Sequence, residues 1–257
     1  MMMPRHPYLD HDGPIAFAHR GGMSVAPENT MPAFEHAVSL GFRYLETDVH
    51  RTVDGDLVAF HDTDLKRTCG LDQRIADMTA AEIAGVRVGG TAPIPTMRAL
   101  LERWPDHRFN IDCKADDALE PLGALIDDLD ALDRVCIGSF SDDRLDRLRR
   151  RFGGRLLTAM GPREIAILRL FRRRRGSGPR VAQVPVRASS AGLLRHVTVT
   201  TPRFVAHAHR KSVPVHVWTI NDAAEMHRLL DLGVDGLMTD RPEMLRTVLD
   251  DRGEWAA

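Results

Sequence analysis

Two hydrophobic rhythms alternate along the chain, short β-rich runs and longer stretches with apolar residues at helical spacing. Ile15–Ala18 predicts a first strand ending at His19, and the helix after it carries Phe34, Ala37 and Val38 on one face and stops near Gly41. Tyr44–Val49 predicts a second strand. From Thr52 to Phe60, two apolar segments flank Asp54-Gly55, a hairpin signal. Thr96 predicts the N-cap of a helix with Met97, Leu100, Leu101 and Trp104, which Pro105 ends. Phe109–Cys113, Val135–Phe140, Leu156–Met160, Val181–Val186, Val215–Ile220 and Gly236–Thr239 then predict strands, each followed by a helix. Ser141 and Pro162 open two of those helices, and Pro202–Arg210 forms a third. Asn221 reads as the cap of the next, which stops at Gly233, and Asp240 with Glu243 reads as a capping box on the last.

Eight strands, each followed by a helix, within about 250 residues is the arithmetic of a single (β/α)8 barrel, an α/β fold. Alternation does not count closure, so an open doubly wound sheet stays as the alternative. Against it, no Gly-rich dinucleotide fingerprint follows the first strand, and no P-loop is present. No linker-like tract divides the chain, so residues 1–257 read as one domain with a short insertion after the second strand, at about 62–95. Thr79-Ala80-Ala81-Glu82 predicts a small helix in that insertion, which is expected to lie over the barrel mouth.

Composition narrows the partners. With 43% hydrophobic residues, the 257-residue chain can bury a sizeable core. Lys and Arg number 35 against 36 Asp and Glu, a net charge of -1 that gives no support for nucleic acid or anionic membrane as a partner. No apolar run reaches the ~20 residues of a transmembrane segment, and the start lacks the apolar core of a secretory signal. Cys69, Cys113 and Cys136 are odd in number and lack a CxxC pair, which predicts reduced thiols in a cytoplasmic protein.

The strands carry more charge than a barrel interior normally holds. Tyr44, Glu46 and Asp48 share one face of the second strand, and Asn110, Asp112 and Lys114 share one face of the third. His216 and Trp218 point one way on the seventh, while the first delivers His19 and Arg20 at its end. Such charge needs a counter-charge or a cation. If Asp54-Gly55 forms a two-residue turn, Val53 pairs with Asp56 and His61 falls opposite Asp48. Glu46, Asp48 and Asp112 offer oxygen only, which suits Mg²⁺ or Ca²⁺. Arg20 and Lys114 add positive charge for an anionic substrate, for which a phosphate ester fits, and two histidines near one metal can serve as general acid and base.

These residues resemble the glycerophosphodiester phosphodiesterase family, within the phospholipase-C-like phosphodiesterases. The resemblance rests on Ala18-His19-Arg20-Gly21-Gly22, Pro27-Glu28-Asn29-Thr30, Tyr44-Leu45-Glu46-Thr47-Asp48-Val49 and Phe60-His61-Asp62. Asn110-Ile111-Asp112-Cys113-Lys114, Val217-Trp218-Thr219-Ile220-Asn221 and the stretch from Gly233 to Pro242 continue it in the family's order. It implies a TIM barrel that uses a divalent metal to hydrolyse glycerophosphodiesters, as small-molecule substrates, to glycerol 3-phosphate and an alcohol. By position, His19 and His61 would be the acid–base pair, with Glu46 and Asp48 as metal ligands. Asp112 takes the third ligand position, where the family commonly has the longer Glu. Arg20 and Lys114 would hold the phosphate, and Trp218 would wall the pocket. A lysophospholipase D-like cleavage of lysolipid headgroups and an inactive metal-binding barrel are the competing readings.

Other features read as background. The basic run Arg169 and Arg172–Arg175 is expected to be a solvated helix end that favours the macrodipole. His207 and His209 alternate on a helix and so do not share a face. His36, His196 and His227 show no ligand-like partner.

Overall fold

The structure is a computed structural model that describes residues 6–171, 178–188 and 197–256. β1 (Ile15–Ala18), α1 (Met31–Ser39), β2 (Tyr44–Arg51) and β3 (Leu57–Ala59) come first. α2 (Lys66–Cys69), α3 (Ala80–Ala84), β4 (Arg87–Val88) and β5 (Ala92–Pro93) fill the segment before α4 (Met97–Arg103). Alternation then runs through β6 (Arg108–Cys113), α5 (Leu119–Asp128), β7 (Val135–Gly138), α6 (Asp142–Phe152), β8 (Leu157–Ala159) and α7 (Pro162–Phe171). It ends with β9 (Arg180–Pro185), α8 (Pro202–His209), β10 (Val215–Trp218), α9 (Ala223–Asp231), β11 (Gly236–Thr239) and α10 (Pro242–Asp251).

β1 pairs in parallel with β11 on one side and with β2 on the other. The strand order β1-β11-β10-β9-β8-β7-β6-β2 therefore closes on itself, which excludes the open sheet. β3 adds an antiparallel strand to the outside of that ring, beside β2. Side-chain alternation splits the core in two. Leu45, Val49, Phe109, Ile111, Val135, Ile137, Val215, Val217 and Leu237 face the helices. Ile15, Phe17, Tyr44, Cys136, Leu157, Val181 and Met238 face inward, where Tyr8 and Leu9 of the N-terminal turn join them. Tyr44 Oη donates to the Tyr8 carbonyl at 2.7 Å, so that turn closes the lower end of the barrel.

The hairpin differs from the expected one. Thr52 N–H donates to the Asp56 carbonyl at 2.9 Å, so the loop has three residues, and Arg51 pairs with Leu57 and Val49 with Ala59. Phe60, not His61, therefore sits opposite Asp48, and its N–H donates to the Asp48 carbonyl at 3.1 Å. Gly55, at φ 107°, takes the left-handed end of the loop, a role an Asp-Gly pair serves in either loop length.

Capping follows the sequence at α3, α4 and α6, where Thr79, Thr96 and Ser141 accept from the backbone three residues on. It departs at the last two helices. Asp222 caps α9 in place of Asn221, and Arg241 precedes α10 with no side-chain cap. Asn221 and Asp240 are used elsewhere, as described below. His36 also has a partner, Glu243, at 2.5 Å.

The segment between β3 and α4 holds a small core of its own, with Phe60, Leu65, Ile75, Ile83, Val86, Val88 and Ile94 packed on Val58. Cys69, Cys113 and Cys136 are free thiols, and burial pushes Cys113 up to about 12. Arg172–Arg175 and His196 lie outside the described residues. Among the described residues, no helix is long and apolar enough to cross a membrane.

Candidate active site

The chain leaves β1 through one tight turn, His19–Gly21. A Cβ on Gly21 (φ 80°) would stand 2.8 Å from the Phe34 nitrogen, and one on Gly22 (φ 89°) 2.8 Å from Pro242. Arg20 is left-handed too, at φ 52°, a conformation uncommon for a residue with a side chain. It aims the Arg20 N–H at Glu46 Oε2 (3.0 Å), while the guanidinium reaches Glu28 Oε1 (2.9 Å) and Asp48 Oδ2 (3.2 Å).

Each of the two predicted histidines is held by a carboxylate. His19 Nδ1 donates to Asp240 Oδ1 at 2.6 Å, which leaves Nε2 on the side of Glu46, 3.8 Å from Oε2. Asn221 fixes Asp240 from behind, donating to Oδ2 at 2.7 Å and accepting the Asp240 N–H at 2.9 Å. Burial lowers the affinity of His19 for a proton, but Glu46 and Asp240 outweigh it and hold its pKa above the ordinary value. His61 Nδ1 donates to Asp62 Oδ1 at 2.6 Å, and the His61 carbonyl accepts from His50 Nε2 at 3.1 Å. Despite the shifted register, His61 directly follows Phe60, whose N–H donates to the Asp48 carbonyl at 3.1 Å.

Glu46, Asp48 and Asp112 share the interior face, and Asp48 lies in register with Asp112 on the neighbouring strand. Two like charges side by side need a cation between them. Lys114 supplies it, with Nζ 2.8 Å from Asp48 Oδ1 and 2.6 Å from Asp112 Oδ2. Asn29 donates to Asp48 Oδ2 at 3.1 Å and is itself held by the Thr47 hydroxyl at 2.8 Å. Burial would raise the Asp48 pKa, yet Lys114 and Arg20 keep it below the ordinary carboxylate value. Glu46 goes the other way. Burial pushes it up to about 7, with His19 opposing and Asp48 adding to the rise.

The expected three-carboxylate metal cluster is not gathered in this form, because the Lys114 ammonium stands between Asp48 and Asp112. Among the described residues, no group of three or more His, Cys, Asp or Glu side chains is placed to hold a metal ion. Trp218 packs on the interior cluster and meets the ring of Phe140 edge-on, centroids 5.9 Å apart.

Asp240, Asn221, Glu28, Asn29 and Arg67 touch these groups, and the sequence reading assigns none of them a place in the site. A signal exists for Asp240. It follows Gly236 and Met238 in the interior-facing parity of β11, but its spacing to Glu243, in the first turn of the last helix, suggests a cap instead. Arg67 offers no signal, since it comes from the segment outside the strand–helix alternation.

The comparisons with known proteins bear on the family and the fold. Residues 19–244 match the model of the glycerophosphoryl diester phosphodiesterase family. A Mycobacterium tuberculosis relative named "Probable glycerophosphodiester phosphodiesterase 2" is 39% identical over 264 residues, covering 98% of this chain and 97% of its own. A lysophospholipase D of Rattus norvegicus is 26% identical over 269 residues, 91% of this chain and 85% of its own. A glycerophosphodiester phosphodiesterase structure from Parabacteroides distasonis has a TM-score of 0.75 at 23% identity, covering 95% of this chain and 99% of that one. An Oleispira antarctica phosphodiesterase in complex with the product sn-glycerol-3-phosphate has a TM-score of 0.74 at 20% identity, covering 93% and 97%. Those two structures show the fold. The family match runs from the histidine closing β1 to the first turn of α10, spanning all the site residues above, and the near-complete 39% relative stands beside it: the chain belongs to the glycerophosphoryl diester phosphodiesterase family.

Proposed function

We propose that this phosphodiesterase hydrolyses glycerophosphodiesters to glycerol 3-phosphate and an alcohol, with His19 and His61 as its acid–base pair. The observation that carries this reading is the pair of imidazoles, each held at Nδ1 by a carboxylate, beside a centre where Arg20 and Lys114 supply positive charge. A carboxylate at Nδ1 sets the tautomer and leaves Nε2 for proton transfer. One imidazole takes the proton of the attacking oxygen as the new P–O bond forms. The other gives a proton to the alkoxide as the old P–O bond breaks. Arg20 and Lys114 spread the charge on the phosphoryl oxygens through that exchange.

One observation supports a divalent cation here, although Lys114 stands between two of its expected ligands. Glu46 is 4% exposed and, among the described residues, accepts a single hydrogen bond, from the Arg20 N–H, which leaves carboxylate oxygen available to a cation. Glu46, Asp48 and Asp112 are the oxygen donors that would hold Mg²⁺ or Ca²⁺. When bound, the ion would supply further positive charge to the phosphate.

A second reading, cleavage of lysolipid headgroups, draws on the exposed apolar side chains Phe140 (66%), Met23 (45%) and Val25 (62%). Phe140 touches Trp218, and Met23 N–H donates to the Asp240 carbonyl at 2.8 Å, so both adjoin the site. A panel of glycerophosphodiesters and lysolipids separates the two, with metals added back after chelation and glycerol 3-phosphate or lysophosphatidate release measured. Release from glycerophosphocholine alone, abolished by chelation and restored by Mg²⁺ or Ca²⁺, is the expected result. Turnover of lysolipids alone would favour the second reading, and no release from any substrate would favour a binding barrel.

A further inference from the structure

Arg67 belongs to α2, outside the strand ends, and the acid–base chemistry above makes no use of it. Its guanidinium is committed to two carboxylates at once. Nη1 and Nη2 donate to Glu28 Oε2 and Oε1 at 2.8 and 2.6 Å, and Nε donates to Asp62 Oδ2 at 2.6 Å. Each of those acids also reaches the site. Asp62 Oδ1 holds His61 Nδ1 at 2.6 Å, and Glu28 Oε1 also accepts from Arg20 Nη1 at 2.9 Å. The result is one chain of charge-assisted hydrogen bonds, His61–Asp62–Arg67–Glu28–Arg20, that crosses from the proton-transfer group to the phosphate-binding group.

We infer that Arg67 is a positioning residue for the phosphodiester reaction, orienting His61 through Asp62 and Arg20 through Glu28. The inference rests on the reading of His61 and Arg20 given above. Glu28 is 8% exposed, so it needs cationic partners, and Asp62 must keep one oxygen on the imidazole while water competes for it. A planar fork satisfies both, because it presents donors on two edges in fixed geometry. A lysine cannot replace it, since an ammonium is a point charge that does not match two carboxylates edge-on. With the Arg67 side chain 49% exposed, its ion pairs contribute little to stability. Its effect falls on geometry, where a displacement of about 1 Å is worth about a hundredfold in rate.

The test is the steady-state kinetics of Arg67→Ala and Arg67→Lys on glycerophosphocholine, with and without low concentrations of added guanidinium ion. Arg67→Ala is expected to lower kcat by about ten- to a hundredfold and to raise KM, with part of the kcat restored by guanidinium. Arg67→Lys should resemble the alanine variant more than the wild type, and Asp62→Asn should lower kcat with little change in KM. Wild-type kcat in Arg67→Ala, or a loss that guanidinium leaves untouched, would overturn the inference. Wild type and His61→Ala run in the same assay keep the two levels apart. An inactive wild type, or an active His61→Ala, removes the acid–base reading itself, whereas an active wild type with inactive His61→Ala and wild-type-like Arg67→Ala removes only the role of Arg67.

Discussion

The two ends of the barrel interior are built from the same strands and held together by different forces. Four strands change character as they rise: Phe17 gives way to His19, Tyr44 to Glu46, Val181 to Gln183 and Met238 to Asp240. Below the change, packing does the holding. Leu157, Cys136 and Val181 are fully buried, and Tyr8 and Phe17 each set their rings edge-on to Tyr44 at 5.3 Å. Above it, buried charge is held by matched charge, with Lys114 between two aspartates and Arg20 between Glu28 and Asp48. The lower end stabilises the fold, since each large apolar side chain it buries contributes about 1.5–3 kcal/mol. The upper end adds little net stability, because desolvation of its charges offsets their attraction. The lower end is the platform on which the upper one keeps its charges in place.

That contrast breaks if substitutions at the two ends have like effects. The largest effect is expected from His19→Ala or His61→Ala, either of which should lower kcat by about a thousandfold while the circular dichroism spectrum stays that of the wild type. Leu157→Ala should do the reverse. It should lower the free energy of unfolding by about 2–5 kcal/mol in denaturant titrations, with kcat per folded molecule unchanged. Asp240→Asn sharpens the upper end, since it keeps the shape of the group but loses the charge that orients His19. A fall in kcat of about a hundredfold is expected, with KM nearly constant.

The smallest effect is one of pH. Burial raises the Glu28 pKa, but Arg67 and Arg20 overcome it and hold the value below the ordinary 4.5. An acid whose folded pKa is depressed contributes stability above its unfolded pKa and loses it as pH falls through the folded value. Glu28→Gln should therefore flatten the acid-side fall in stability below about pH 4.5. Melting curves across that range check it. An unchanged acid slope would show that the charge of Glu28 is not compensated in the folded state.

Sequence by itself determined the alternation of strands and helices, the interior parity of Glu46, Asp48 and Asp112, and the two histidines at strand ends. Those features are local, because a strand alternates every residue and a helix every three or four whatever lies around it. Closure, loop register and the choice of partners were decided only in three dimensions. An Asp-Gly pair serves two- and three-residue loops alike, so whether His61 or Phe60 faces Asp48 was not readable from the turn. Asp240 and Asn221 have good local reasons to cap helices, and both give them up. The partner that displaces the cap for Asp240 is His19, 221 residues away in the chain, whose Nδ1 donates to the carboxylate at 2.6 Å. Arg67 shows the same limit from the other side. Nothing in its neighbours marks it, and only the packing of its segment against the β1 loop and the end of the hairpin brings it between Glu28 and Asp62.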